Sequence, residues 1–200
     1  MSAMPDWAIV AGKDYPPEDY AQESVDSAIA SALLLPWLIE RYGPRSLLDV
    51  GCGVGQWCRR AHDEFGLSTA VGIDGPWTPF CTMYRDGLIF ITADLEQLLP
   101  VVGRFDVALC IEVAEHLSSE RGPSLVAELC RLAPLIAWSA APPGQGGAHH
   151  VNERPREYWS GLFQEHGYRE NIDFRQFVAA QTRLAPWLRD NITGFVRDHA

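Results

Sequence analysis

Short apolar runs alternate with longer stretches of helical character along this chain. That pattern predicts an α/β fold with a mostly parallel sheet. Residues from Glu18 to Tyr42 read as one or two helices, with a break or kink near Pro36. Ser46-Leu47-Leu48-Asp49-Val50 is a short buried strand that runs into Gly51-Cys52-Gly53-Val54-Gly55, and Gln56 to Glu64 reads as the helix that follows. Thr69 to Ile73, Leu88 to Ile91, Phe105 to Cys110 and Leu135 to Ala140 read as further strands. Asp74-Gly75-Pro76 closes the second strand as a turn, and Ser119 to Leu132 and Pro155 to His166 read as helices. The Pro/Gly-rich stretch from Ala141 to Ala148 reads as a loop. Two last strands are expected near Tyr168–Asp173 and Thr193–Arg197, separated by a helix.

Composition narrows the function classes. Two hundred residues with 47% hydrophobic and 21% charged side chains suit one globular domain with a small cap. The formal net charge of −10 repels phosphate backbones and anionic lipid, which disfavours a nucleic-acid partner or a membrane surface. No apolar run approaches the roughly 20 residues that span a bilayer, and the first residues lack the basic and apolar regions of a signal peptide. The five cysteines are odd in number and show no metal-binding spacing, which points to reduced thiols in a cytoplasm.

The sharpest local signal is Asp49-Val50-Gly51-Cys52-Gly53-Val54-Gly55. Three glycines after a buried strand allow a tight turn and let a ligand approach with no Cβ in the way. A dinucleotide fingerprint would need a glycine where Gln56 stands. An acidic residue, one spacer and then G-x-G-x-G instead fits S-adenosyl-L-methionine (SAM), whose sulfonium and ammonium are cationic. Asp74 ends the second strand about 20 residues on, where an acid accepts ribose hydroxyls. Asp94-Leu95 follows the third strand, where a carboxylate and the next backbone amide suit adenine; an ordinary helix cap is the alternative for Asp94.

On these residues the chain resembles the class I SAM-dependent methyltransferases from about Arg45 to Ala140. The resemblance implies a Rossmann-like, seven-stranded, mostly parallel sheet with helices on both faces and the last strand antiparallel. It implies an N-terminal helical cap over residues 1–44 and a SAM-binding domain over 45–200. It also implies a cofactor site of Asp49, Gly51, Cys52, Gly53, Gly55, Asp74, Asp94, Leu95 and Cys110.

After the fourth strand stand Glu112, Glu115 and His116, at i, i+3 and i+4 if a helical turn begins at Glu112. Two carboxylates and an imidazole on one face suit Mg²⁺, Mn²⁺, Fe²⁺ or Zn²⁺. The loop after the fifth strand brings His149 and His150, either as a further ligand or as a general base. The Glu-x-x-Glu-His stretch resembles those of small-RNA 2′-O-methyltransferases and ubiquinone-pathway O-methyltransferases. The run from Gly146 to Trp159 looks like a loop of small bacterial methyltransferases, in which His150 rather than His149 is matched. The resulting expectation is methyl transfer to a hydroxyl of a small organic molecule, with metal ligands Glu112, Glu115, His116 and His150. Catalytic histidines would come from His150, His116 and His149. A metal-free O- or N-methyltransferase, an NAD-type oxidoreductase and a non-catalytic SAM-binding module are the alternatives. Aromatic residues Trp7, Tyr15, Tyr20, Trp37, Trp77, Tyr84 and Trp159 are candidates for a lid over the acceptor, and the Trp77–Met83 region for closing over adenine.

Overall fold

A computed structural model of the chain describes residues 17–76, 83–101 and 103–198. Helix α1 (Pro17–Tyr42) comes first, followed by β1 (Ser46–Val50) and the short helix α2 (Gln56–Arg59), which widens into a π turn over Arg60–Glu64. Strands β2 (Thr69–Asp74), β3 (Met83–Arg85), β4 (Leu88–Thr92) and β5 (Val107–Ile111) follow. The chain continues through α3 (Arg121–Leu132), β6 (Leu135–Ser139), α4 (Arg156–Glu165), β7 (Tyr168–Glu170), α5 (Ile172–Ala179), α6 (Pro186–Asn191) and β8 (Thr193–Arg197).

The strands form one sheet in the order β3-β4-β2-β1-β5-β6-β8-β7. The central strands β4, β2, β1, β5 and β6 are parallel, and β8 enters antiparallel to β6. These are the seven strands the sequence predicts, with the short β3 added antiparallel at the edge beside β4. From β1 the chain passes to β2 on one side, and β5 pairs on the other, so the glycine turn sits where the strand order reverses. Ligand crevices of open α/β sheets form at such points.

Strand alternation divides the core into two layers. Leu48, Val50, Ala108, Cys110 and Trp138 pack toward α3 and α4. Leu47, Val107, Leu109 and Ala137 pack toward α1, α2, α5 and α6. Helix α1 runs unbroken through Pro36, contrary to the expected break. Its Ala30, Leu34, Leu35 and Leu38 are all buried, and burial of that stripe offsets the hydrogen bond that a mid-helix proline removes. Strand β7 stops short of the expected Asp173 because Asn171 turns the chain, its side chain accepting from the Phe174 amide to cap α5. The single helix expected between the last strands is two, α5 and α6.

Cys52, Cys58, Cys110 and Cys130 are buried free thiols, and burial pushes all of them up. Among the described residues no helix is long and apolar enough to cross a membrane.

Candidate functional site

A cleft of about 570 Å³ opens at the carboxyl ends of β1, β2, β4 and β5. One end is built by the glycine turn. Gly51, Gly53 and Gly55 all have positive φ, the left-handed backbone that glycine enters without strain. The amides of Gly51 and Cys52 both donate to the Ile73 carbonyl, which ties the turn to β2. A Cβ on Gly53 would meet open space, so ligand atoms can approach the backbone there. A Cβ on Gly51 would strike Val113 and one on Gly55 would strike Phe90. Gly55 does not line the cleft: it is small because the helix start packs on a phenyl ring, a correction to its expected cofactor contact.

Asp49 and Asp74 both face this end. Asp74 accepts from the Gly53 amide and from the Gly75 amide, each at 2.6 Å. Asp49 is buried on the layer shared with α1 and α2, and Cys58 Sγ approaches it at 3.9 Å. Burial, helped by the nearby Asp74 charge, lifts the Asp49 carboxyl to about 8. A cationic ligand would reverse that balance. Asp94 is exposed at the cleft edge, where Oδ1 accepts from the Glu96 amide in an Asx-type turn rather than capping a helix. Leu95 is buried and also lines the cleft. Cys110 does not: its side chain alternates into the α3/α4 layer, and Ile111 faces the cleft instead.

The other end holds the acid–histidine group. Ala114 to His116 forms a 3-10 turn. One ligand atom from each of Glu115, His116 and His150 falls within 4.8 Å of the others. Glu115 is fully buried; Oε1 accepts from the Ala141 amide, while Oε2 is buried without a hydrogen-bond partner among the described residues. Burial and the charge of Glu112 push the Glu115 carboxyl well above the usual range. Glu112 stands outside the ligand set, correcting the expected helical face. Its backbone is left-handed, with φ of 54°, so no regular turn starts there. Its carboxylate accepts from Gln145 Nε2 at 3.2 Å and Asn191 Nδ2 at 3.3 Å.

The loop after β6 is docked on the 3-10 turn. The amides of Val151 and Asn152 donate to the Glu115 carbonyl, and Asn152 Nδ2 donates to the Ala114 carbonyl. This docking sets the His150 ring edge-on to His116, with centroids 4.8 Å apart. Glu153 accepts from the Gly144 and Gly146 amides and pairs with His150 Nδ1 at 3.0 Å. The His150 contact is the main reason the Glu153 carboxyl lies below its usual range. A carboxylate only accepts, so Nδ1 carries the hydrogen of this contact and Nε2 is the nitrogen left for a ligand. A Cβ on Gly147 would overlap the His150 ring, so that glycine makes room for it. His149 is exposed, outside the cleft and in a left-handed conformation, so the expected catalytic role for it is not met by its position.

The aromatic lid also needs correcting. Trp37 packs on Tyr42, Phe174 and Phe177, and Trp159 is buried against Trp138. Trp7, Tyr15 and Trp77, most of the Trp77–Met83 segment and the side chains of Tyr20 and Tyr84 lie outside the described residues. Among the described residues, the indoles that line the cleft are Trp57 and Trp187. Sequence reasoning missed Trp187, Glu96, Gln145 and Glu153. Only Glu153 left a local signal, as an acid three residues after His150.

Residues 47–133 match the family described as a methyltransferase domain. No curated protein matches the chain. Among solved structures, magnesium protoporphyrin IX methyltransferase from Synechocystis PCC 6803 with bound SAM is similar at a TM-score of 0.63 and 18% identity. That likeness covers 96% of this chain and 89% of the other. The sugar N-methyltransferase KedS8 from Streptoalloteichus sp ATCC 53650 is similar at 0.62 and 17%, covering 100% and 97%. The 1,6-didemethyltoxoflavin-N1-methyltransferase of Burkholderia thailandensis is similar at 0.60 and 18%, covering 91% and 82%. At these identities the likeness is one of fold.

Proposed function

We propose that the chain, whose residues 47–133 match a methyltransferase domain, is a class I SAM-dependent methyltransferase that methylates a hydroxyl of a small organic molecule with the help of a divalent cation held by Glu115, His116 and His150. The observation that carries this reading is Glu115 Oε2, buried without a partner beside two imidazoles in the same cleft as the glycine turn. Two histidines and one carboxylate suit Mn²⁺, Fe²⁺ or Zn²⁺ better than Mg²⁺, and three protein ligands leave positions open for an acceptor. The His150–Glu153 pair is the kind of outer contact that orients a metal-bound imidazole.

SAM, when bound, supplies a methyl group on an electrophilic sulfonium. In this reading Asp49 faces its positive charge, Gly51, Cys52 and Gly53 give the methionine part close access to backbone, Asp74 accepts from the ribose, and Asp94 and Leu95 border the adenine. The cation, when bound, lowers the pKa of the acceptor hydroxyl. The chain itself positions the acceptor for in-line displacement and shields it from water. Helix α1 caps the cleft through Asp26, Ser27 and Ala30.

A second reading has its own support in the His150–Glu153 contact. Without a metal, His150 accepts the hydroxyl proton at Nε2 while Glu153 offsets the ring charge at Nδ1. The two readings separate in one assay. Transfer of labelled methyl from SAM to a panel of phenols and polyols is measured before and after exhaustive chelation. Loss of transfer on chelation and recovery with Mn²⁺ supports the metal; undiminished transfer with no metal by elemental analysis leaves His150 as a simple base.

A further inference from the structure

The charges lining the cleft are one-sided. Among the described residues, every ionisable side chain on its wall is a carboxylate, a histidine or the Cys52 thiol, with no lysine or arginine. Apart from the bound cation and the SAM sulfonium, an acceptor bearing a carboxylate or phosphate would meet no basic side chain on this described wall to offset its charge.

Most of these acids have work assigned elsewhere. Asp49 and Asp74 belong to the SAM end, Asp94 closes its own turn, and Glu96 binds the Ser118 amide and hydroxyl. Glu115 belongs to the histidine group, and its buried Oε2 points to a ligand at this end of the cleft. Asp26, which α1 brings to the wall, and Glu112 are the acids left over, and Glu112 is the one in the same segment as Glu115 and His116. It accepts from Gln145 and Asn191, neutral amides that fix the carboxylate without cancelling its charge, and its further neighbour is the Glu115 carboxyl. Its left-handed backbone is one that a non-glycine residue keeps only when the surroundings enforce it. Trp187 lies one turn before Asn191 on α6 and also lines the cleft. A fixed carboxylate and an indole lining one cleft are a recognition set for an ammonium ion.

We propose that the acceptor carries a protonated amine in addition to the hydroxyl that is methylated, and that Glu112, with Trp187, holds that ammonium while Glu115, His116 and His150 address the hydroxyl. This deepens the methyl-transfer reading and rests on it. The acceptor class is then hydroxylated amines, such as amino sugars or phenolic amines, and acidic or phosphorylated compounds are refused.

The test uses the full chain saturated with S-adenosylhomocysteine (SAH), with a chelator present so that no metal attracts carboxylates. Three matched probes are titrated by calorimetry: tyramine, 4-hydroxyphenethyl alcohol and 4-hydroxyphenylacetate. Tyramine should bind at least about tenfold more tightly than the alcohol, and the acid most weakly. E112Q should bring tyramine down to the level of the alcohol, and W187L should weaken tyramine more than the alcohol. Equal binding of amine and alcohol, no binding of any probe, or an amine preference that survives in E112Q overturns the proposal. SAH titrated alone reports on the methyltransferase reading, since a wild-type chain that fails to bind it contradicts that reading instead.

Discussion

Gly51 and Gly53 share a left-handed backbone but face different surroundings, and their substitutions should separate stability from binding. Gly51→Ala drives a Cβ into Val113, so denaturant unfolding should show a loss of about 1–3 kcal/mol from overpacking, on top of the backbone strain. Gly53→Ala meets no neighbouring atom and bears the backbone strain alone, so its stability loss should be the smaller, about 1–2 kcal/mol, while its Cβ in the open cleft should weaken SAM binding by calorimetry. Asp74→Ala removes a charged acceptor, worth about 1.5–3 kcal/mol, so SAM affinity should fall by roughly ten- to a hundredfold or more. Unchanged affinity in Asp74→Ala would remove that residue from the ribose site. The motif-bearing residues were legible because the glycine spacing and its acids are local in sequence. Gly55 and Cys110 were misread because a phenyl ring from β4 and the alternation of β5, not the motif, decide what each touches.

The elements that hold the site are the segment around Asp94–Leu99 and the loop after β6. The first is pinned by a buried pair, in which Arg121 bonds Glu128 and the Leu95 carbonyl, while Glu128 also accepts from the Leu99 amide. Glu128→Ala leaves the Arg121 charge buried with only the Leu95 carbonyl and the Ser124 hydroxyl and no counter-charge, so urea unfolding should show a loss of about 3–5 kcal/mol. The second is gathered by Glu153 on Gly144, Gly146 and His150. Glu153→Ala should lower kcat by about 10–100-fold with little change in the KM for SAM, since Glu153 bonds Gly144, Gly146 and His150 rather than the glycine turn or Asp74. Strands were readable from their apolar runs, and so was the helix after the glycine turn. The departures are tertiary. Glu112 leaves the expected helical face because the chain enters a left-handed conformation as β5 ends. Trp187 reaches the cleft only because α5 and α6 fold back before β8.

At the scale of the whole molecule, the buried acids couple ligand, proton and stability. Asp49 has an ordinary value of 3.8 and is lifted to about 8 in the free fold. The unfolded chain therefore gives up that proton first as pH rises. The free protein should lose stability progressively between about pH 4 and pH 8, by at most about 1.4 kcal/mol per unit from this group. Glu115, shifted in the same direction, adds to the trend. SAM that ionises Asp49 should release a proton on binding. Calorimetry at about pH 6.5, in buffers of different ionisation enthalpy, should find close to one proton released, and none would contradict the role of Asp49. In the proposed function one cleft holds the cofactor at the glycine turn and a cation at the histidines. Its most direct test is anomalous diffraction from crystals grown with SAH and Mn²⁺. The predicted result is a manganese peak bonded to Glu115 Oε2, His116 and His150, with the SAH carrying its ribose on Asp74 in the same cleft. SAH bound elsewhere, or in place with no manganese at those three side chains, would contradict it.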